Sequence, residues 1–242
     1  MNRPHTTRNS VVGVVAAVGL LSAWTAHLIW ILGWDVPATS PLWIAGAVMV
    51  QTFLHTGLFI TGHDAMHGTV CPADSRVNDA LGWAAIKLYA LFDYDTLRRK
   101  HWDHHDDPVT EDDPDFHDGG ADRFWPWYAG FLREYMGIWQ FIGMAVAFNI
   151  LHHLAGVSLW NLNLLWVAPS LLSTLQLFYF GTYLPHRRPE DGFDDAHHAT
   201  TNDFSPWLSF LTCYHFGYHW EHHAHPETPW WKLPRRRARE SD

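Results

Sequence analysis

Apolar positions in this chain come in long blocks rather than in the short alternations of a soluble fold. Val11 to Gly33 is almost wholly apolar, and so is Leu42 to Thr61. Each is long enough for a helix across a bilayer, which needs about 20 residues. Between them, Asp35-Val-Pro-Ala-Thr-Ser40 has the Pro and small polar residues of a short turn. Two later blocks, Gly137 to Ala155 and Leu162 to Leu184, predict a second hairpin, with Pro169 a candidate kink. The pattern therefore predicts an all-α integral membrane protein with about four transmembrane helices, at 11–33, 42–61, 137–155 and 162–184, in one domain over 1–242. Arg3 and Arg8 precede the first block as they would in a signal peptide, but the apolar run is too long for one and no small-residue cleavage site follows. An uncleaved first span is expected.

The segments between the blocks are mixed. Gly68 to Gly82 reads as a loop. Trp83 to Phe92 is apolar but short and contains Lys87, which suggests a re-entrant or interfacial piece. Asp106 to Asp122 is a loop rich in Asp, Pro and Gly, and Phe124 to Tyr135 mixes aromatic and charged residues as an amphipathic surface helix does. Beyond the fourth block the chain is polar and rich in His, apart from Trp207 to Cys213.

Charge adds sidedness. With the N-terminus in the cytoplasm and four crossings, the outer loops are Trp34 to Pro41 and Gly156 to Asn161, and neither contains Lys or Arg. All 16 Lys and Arg then face the cytoplasm, together with both termini, as the positive-inside rule requires. The net charge of −9 argues against nucleic-acid binding. Cys71 and Cys213 fit neither a disulfide framework nor a Cys-based zinc site, and two unpaired thiols are expected.

The 19 His supply the chemistry. Three boxes stand out: His63-Asp-Ala-Met-His67, His101-Trp-Asp-His104-His105 and His219-Trp-Glu-His222-His223. On a helix, positions i, i+3 and i+4 share a face, so each box can aim two or three imidazoles at one point. Together they offer more nitrogens than one tetrahedral zinc takes, a number suited to two ions of higher coordination. Imidazole suits iron, zinc, copper and nickel alike, so spacing alone leaves the metal open. All three boxes fall on the predicted cytoplasmic face, which a set of headgroup-contacting surface histidines would not explain. Asp64, Asp103, Asp112, Asp113, Asp115 and Glu221 are candidates to hold the outer nitrogens of metal-bound imidazoles.

The boxes resemble those of the membrane fatty acid desaturase and hydroxylase superfamily of di-iron oxygenases. Further motifs resemble the bacterial beta-carotene ketolases: His63 to Gly68, Asp112-Asp113-Pro114-Asp115-Phe116, Phe180 to Arg187, Asp195-Ala-His-His198-Ala, Leu211 to Gly217, and the ending from His219 through Pro229-Trp-Trp-Lys-Leu-Pro234. The similarity covers nearly all the chain. It implies two iron ions held by His63, His67, His101, His104, His105, His219, His222 and His223 beneath a cytoplasmic helical cap. It implies a further His near the end of the last span, which His186 fits and for which His197 is the rival or a tenth ligand. His198 and His215 are expected behind the ligands. The implied reaction oxidises carbon 4 of the β-ring to a ketone with molecular oxygen, by two hydroxylations and loss of water, giving echinenone and canthaxanthin from beta-carotene, or astaxanthin from a hydroxylated ring. Reduced ferredoxin or a similar carrier is the implied electron donor, and the bacterial inner membrane the implied location. Arg98, Arg99, Lys100, Arg187 and Arg188 beside the boxes could dock an acidic donor.

Competing readings on the same scaffold are a carotenoid hydroxylase and a fatty acyl desaturase. A metal transporter, the rival from another class, would place its ligands near the bilayer midplane within repeated halves, and neither is evident here. His27 and His55 inside predicted spans are expected to be neutral and bonded to a neighbouring helix. His152 and His153 fall at the outer border with no catalytic part. Trp24, Trp30, Trp34 and Trp43 read as interfacial anchors, Trp230 and Trp231 as a membrane dock for the tail, and Arg235, Arg236, Arg237 and Arg239 as charge drawn to anionic lipid. Phe178, Tyr179, Phe180 and Tyr183 could line a polyene tunnel or face lipid.

Overall fold

The computed structural model describes residues 3–116 and 123–240, so residues 117–122 of the expected loop lie outside the described part. The described residues are helical apart from their loops, with one isolated β-bridge between Thr201 and Tyr218. Helix α1 (Arg3–Leu32) and α2 (Pro41–Met66) form the first hairpin through a short 3-10 turn at Val36–Ala38. Pro41 stands at the start of α2, where its missing N–H has no partner to lose. Helix α2 is the hub, packed against α1, α3 (Ser75–Ala90) and α7 (Leu159–His186).

Helix α3 departs from expectation. The second half of the expected loop and most of the expected re-entrant piece form one helix, begun by Asp74, whose carboxylate accepts from the N–H groups of Arg76 and Val77 at 2.9 and 3.3 Å. Glycine lets it approach α2. A Cβ at Gly62 would lie 2.4 Å from the Ile86 side chain, and one at Gly82 would lie 2.5 Å from the Cβ of Ala65. A leftward turn at Leu91 (φ 58°) leads to α4 (Tyr94–Asp106), capped by Asp93 accepting from Thr96 N–H at 2.9 Å.

Helix α5 (Phe124–Tyr135) lies where expected, and α6 (Ile138–Leu154) and α7 complete the second hairpin. Helix α7 carries two π-helical turns, Leu162–Val167 and Phe178–Tyr183, each followed two residues later by a proline, Pro169 and Pro185. A proline ring collides with the carbonyl four residues back; a widened turn there absorbs it without breaking the helix. Phe178 neither lines a tunnel nor faces lipid: it is fully buried and packs α7 on Phe124, Tyr128 and Phe131 of α5. Short helices α8 (Pro206–Cys213), α9 (His219–Ala224) and α10 (Leu233–Glu240) follow.

Helices α1, α2 and α7 are long and apolar enough to span a membrane, with mean hydropathies of 1.9, 1.5 and 1.4 over their most apolar windows. Much of their apolar surface faces outward, including Val15, Met49 and Leu171. Helix α6, expected as a full span at 137–155, runs for 17 residues, roughly 26 Å at 1.5 Å per residue, a little less than the hydrocarbon core. Polar side chains inside the bundle pair with each other, as buried groups must. Trp24 donates to His55 Nδ1 at 3.0 Å, His27 Nδ1 lies 2.6 Å from Gln51 Oε1, and Thr56 lies 2.9 Å from Ser173. Trp24 is therefore a core residue, not an interfacial anchor, while Trp30 and Trp43 stay exposed. At one end of the bundle Asn161 donates to the carbonyls of Leu32 and Trp34 at 2.8 and 2.7 Å. At the other, Trp230 N–H donates to Asp64 at 3.1 Å and Lys232 to Asn9 at 2.7 Å, so the tail docks on α1 and α2, and Trp230 packs on protein rather than lipid.

Candidate metal centre

Four helix ends converge at this second end of the bundle. His63 lies in the last turn of α2, His104 and His105 in that of α4, His186 in that of α7, and His222 and His223 in that of α9. The unpaired carbonyls of a helix C-terminus carry partial negative charge, so four such ends favour cations between them. Helix α9 is brought in by a tight reversal after α8, in which Tyr214 and His215 both take left-handed backbones (φ 49° and 64°). The Tyr214 hydroxyl donates to the Phe53 carbonyl at 3.1 Å, over Gly57, where a Cβ would sit 2.7 Å from it.

The imidazoles form two quartets. His63, His67, His101 and His222 make one; His104, His186, His219 and His223 make the other, and in each quartet one ring nitrogen from every member lies within 4.8 Å of the rest. His105 stands between them, its Nε2 3.0 Å from that of His222 and its ring stacked on His223 at 4.2 Å. Nε2 atoms face Nε2 atoms: 2.7 Å for His67–His101, and 3.1 Å for His63–His222, His104–His223 and His219–His223. Burial pushes the pKa values of His67, His101, His219, His222 and His223 well below the usual range, with neighbouring rings adding to the effect. Neutral rings with converging lone pairs repel unless something positive lies between them.

The outer nitrogens explain why the lone pairs point inward. His104 Nδ1 donates to Asp113 at 2.9 Å, His186 Nδ1 to the His198 carbonyl at 2.9 Å, and His219 Nδ1 to the Phe216 carbonyl at 3.3 Å. A neutral ring that donates from Nδ1 leaves Nε2 bare. His186 Nε2 is buried and has no hydrogen-bond partner, although it sits among three other imidazoles. This donor set, buried, held neutral at all but His104 and with an orphaned nitrogen aimed inward, fits two imidazole-loving metal ions. Asp113 is itself fixed by the N–H groups of Val109 and Asp115, both at 2.8 Å. Burial opposes a charge on His104, but Asp115 and the bond to Asp113 outweigh it and raise its pKa; Asp113 is correspondingly held down.

The remaining expected residues fall elsewhere. His197 belongs to neither quartet; its ring lies 6.5 Å from that of His223. His198 acts through its main chain, and His215 stacks on Tyr218. Asp103 and Asp112 are exposed, Glu221 accepts from Thr201, and Asp64 lies 3.5 Å from His63 Nδ1. The carbonyls of His198 and Phe216 could not be anticipated, because a backbone oxygen leaves no mark in residue type. His152, by contrast, bonds the Val157 carbonyl at 2.9 Å, away from the cluster.

A cavity of about 90 Å³ opens beside the quartets. His63, His101, His104 and His219 form one wall; Phe59, Phe131, Leu132 and Leu177 are among its mainly apolar lining. Asp115 also reaches it, accepting from the Tyr135 hydroxyl. The arrangement can hold an apolar molecule against a metal pair with little water present.

Comparison with known proteins places these features in a family. The fatty acid desaturase family profile matches residues 38–144 and 122–242. A zeaxanthin 4-ketolase of Chlamydomonas reinhardtii is 46% identical over 232 residues, 93% of this chain and 51% of that protein. A beta-carotene ketolase of Haematococcus lacustris is 47% identical over 204 residues, 81% of this chain and 63% of that protein. This chain thus spans about half to three-fifths of those two algal proteins. A beta-carotene ketolase of Paracoccus sp. is 40% identical over 234 residues, 95% of this chain and 94% of that protein.

Proposed function

The chain belongs to the fatty acid desaturase family, and we propose that it is a membrane di-iron oxygenase that oxidises carbon 4 of a carotenoid β-ring to a ketone. One observation carries the reading: the largely apolar cavity ends on imidazoles from both quartets. The names of the similar proteins supply the ring and the carbon. His63, His67, His101 and His222 would hold one iron, His104, His186, His219 and His223 the other, with His105 between them. Bound iron supplies the activation of oxygen that a C–H bond at this carbon requires. The chain's own part is to bury the ligands, to orient them through Asp113 and the His198 and Phe216 carbonyls, and to hold the ring dry against them.

We read α6 as the fourth span: it leaves the histidine end, where Lys100 bonds Glu134 at 2.5 Å, and joins α7 at the end where Asn161 holds α1. All Lys and Arg then lie with the histidines on the cytoplasmic side. Reduced ferredoxin or a similar acidic carrier would dock over α4, where Trp102 packs on His67 and His105 beneath Arg98 and Arg99.

The test is the pigment profile of bacteria that accumulate beta-carotene and express this protein, beside His222→Ala. Echinenone and canthaxanthin are expected from the wild type alone. Unchanged beta-carotene with intact, iron-loaded protein in the membrane would overturn the assignment.

A further inference from the structure

The cavity at the metal centre has a neighbour. A second space, of about 410 Å³, lies between α6 and α7, and its lining is almost wholly apolar. Tyr89, Ala90, Leu132, Met136 and Thr174 line both spaces, so the two adjoin across a waist of five residues. The second space runs along Met144, Ala145 and Phe148 of α6 and Trp166, Ser170 and Leu171 of α7. Its rim is open: Phe141 is 54% exposed and Leu171 60%. The first twelve residues of α6, Ile138–Asn149, include no buried one, and the helix meets the core only through partly buried side chains such as Met144 and Phe148.

We propose that this groove seats the conjugated chain of the carotenoid, which enters sideways from the bilayer between α6 and α7 and reaches the irons ring first. The proposal rests on the ketolase reading and adds the substrate's path and the residues that limit it. Three features select a polyene over a bulkier or more polar occupant. From Thr182 in the inner cavity to Trp166 at the outer end, α7 advances roughly 24 Å, most of the ~30 Å hydrocarbon core. The lining offers no charged side chain, which suits a chain with no charge to pair. The waist is formed by Tyr89 and Ala90 of α3, Leu132 and Met136 at the end of α5, and Thr174 of α7, which is fixed by the Tyr128 hydroxyl at 2.6 Å. A rigid rod in such a passage can present only its terminal ring to the histidines, which accounts for attack at a ring carbon rather than along the chain.

Ala145 lines the groove, while its neighbour Val146 does not and is 52% exposed. The experiment compares A145F with V146F, each purified into lipid nanodiscs and checked for wild-type iron content. Two readouts are taken. The first is oxidation of beta-carotene beside that of β-ionone, which has the ring but almost no chain. The second is the induced visible circular dichroism of bound beta-carotene, which does not depend on turnover. A145F is expected to lose at least ten-fold in beta-carotene oxidation and to lose the induced signal, while keeping β-ionone oxidation. V146F is expected to match the wild type in all three. Beta-carotene oxidised and bound by A145F as by the wild type would overturn the groove, as would equal damage in V146F. No induced signal in the wild type would overturn it too. Should the wild type oxidise neither compound, the ketolase reading fails, and loss of the induced signal in A145F alone would still support the groove.

Discussion

The two quartets are built from the same residue type at similar spacing, yet they are supported differently. In the His104/His186/His219/His223 quartet all four rings are buried and three donate their outer nitrogen to a fixed oxygen. In the His63/His67/His101/His222 quartet two rings are only partly buried, His67 Nδ1 has no partner, and His63 has only Asp64 at 3.5 Å. One site is set before metal arrives; the other has slack where His67 meets Trp102. Oriented imidazoles bind metal more tightly and resist ligand loss. The slack site is the one better suited to changes of coordination during turnover.

The comparison breaks most visibly when a ligand is removed. His219→Ala or His63→Ala should each reduce ketone formation by more than ~100-fold, since even supporting partners are worth 10–100-fold. Their effects on metal content should differ. Loss of His63 should leave one iron per chain, whereas loss of His219 should leave less than that, because His105, His222 and His223 lie in contact with one another across both sites. A chelator titration of the wild type, followed by iron analysis, should pass through a plateau near one iron. A single concerted loss of both would end the claim that the quartets differ.

Asp113 is the next lever. Asp113→Ala removes the acceptor that orients His104 and leaves two N–H groups without their carboxylate. Iron affinity of the buried quartet should fall ~10–100-fold, with the other quartet nearly unaffected. Asp112→Ala, at an exposed neighbour, is the control and should change neither.

Acid should act on the metal-free protein through the same rings. His101, His219, His222 and His223 have folded pKa values well below 6.5, held down first by burial and then by neighbouring rings. Below pH 6.5 the unfolded chain binds more protons than the folded one, so their contribution is complete above that pH and is lost as pH falls. Each group can remove up to about 1.4 kcal/mol per pH unit. His104, with its raised folded pKa, works in the opposite direction and is outnumbered. The melting temperature of the metal-free protein should therefore drop between pH 7 and pH 5, and bound metal, which competes with protons for the same lone pairs, should flatten the curve at the upper end of that range. A melting temperature that rose on acidification would show that the rings are not buried neutral.

Much of this was legible in the residues, for a physical reason. Helices in lipid must be long and apolar, and α1, α2 and α7 lie within a few residues of the blocks 11–33, 42–61 and 162–184. The boxes were legible because three- and four-residue spacing on a helix has only one facing. Helix α3 was not, because its contact face is made of Gly82, Ala85 and Ile86 against Gly62, and small residues at a close crossing look like loop composition. The Asp74 cap was its one local signal. Trp24 was misplaced because an indole suits an interface and a buried hydrogen bond equally well, and only the position of His55 decides between them.

The smallest expected effect settles the last open imidazole. His186 and His197 both follow the apolar block 162–184, and position alone left both open. His186 is buried, donates to a carbonyl and leaves its other nitrogen orphaned among three ring neighbours. His197 is half-buried, with its ring at 6.5 Å from His223 and its main-chain N–H held by Asp195 at 2.9 Å. An imidazole that contributes neither a ligand atom nor an oriented proton to the cluster has little to lose on truncation. His197→Ala should therefore stay within about two-fold of the wild type in ketone yield and retain two irons, as surface substitutions generally do, while His186→Ala should lose activity and the buried iron together. If His197→Ala also lost an iron, the loop from Pro189 to Ala199 would have to close on the site in the metal-bound protein, and the buried quartet would be a quintet.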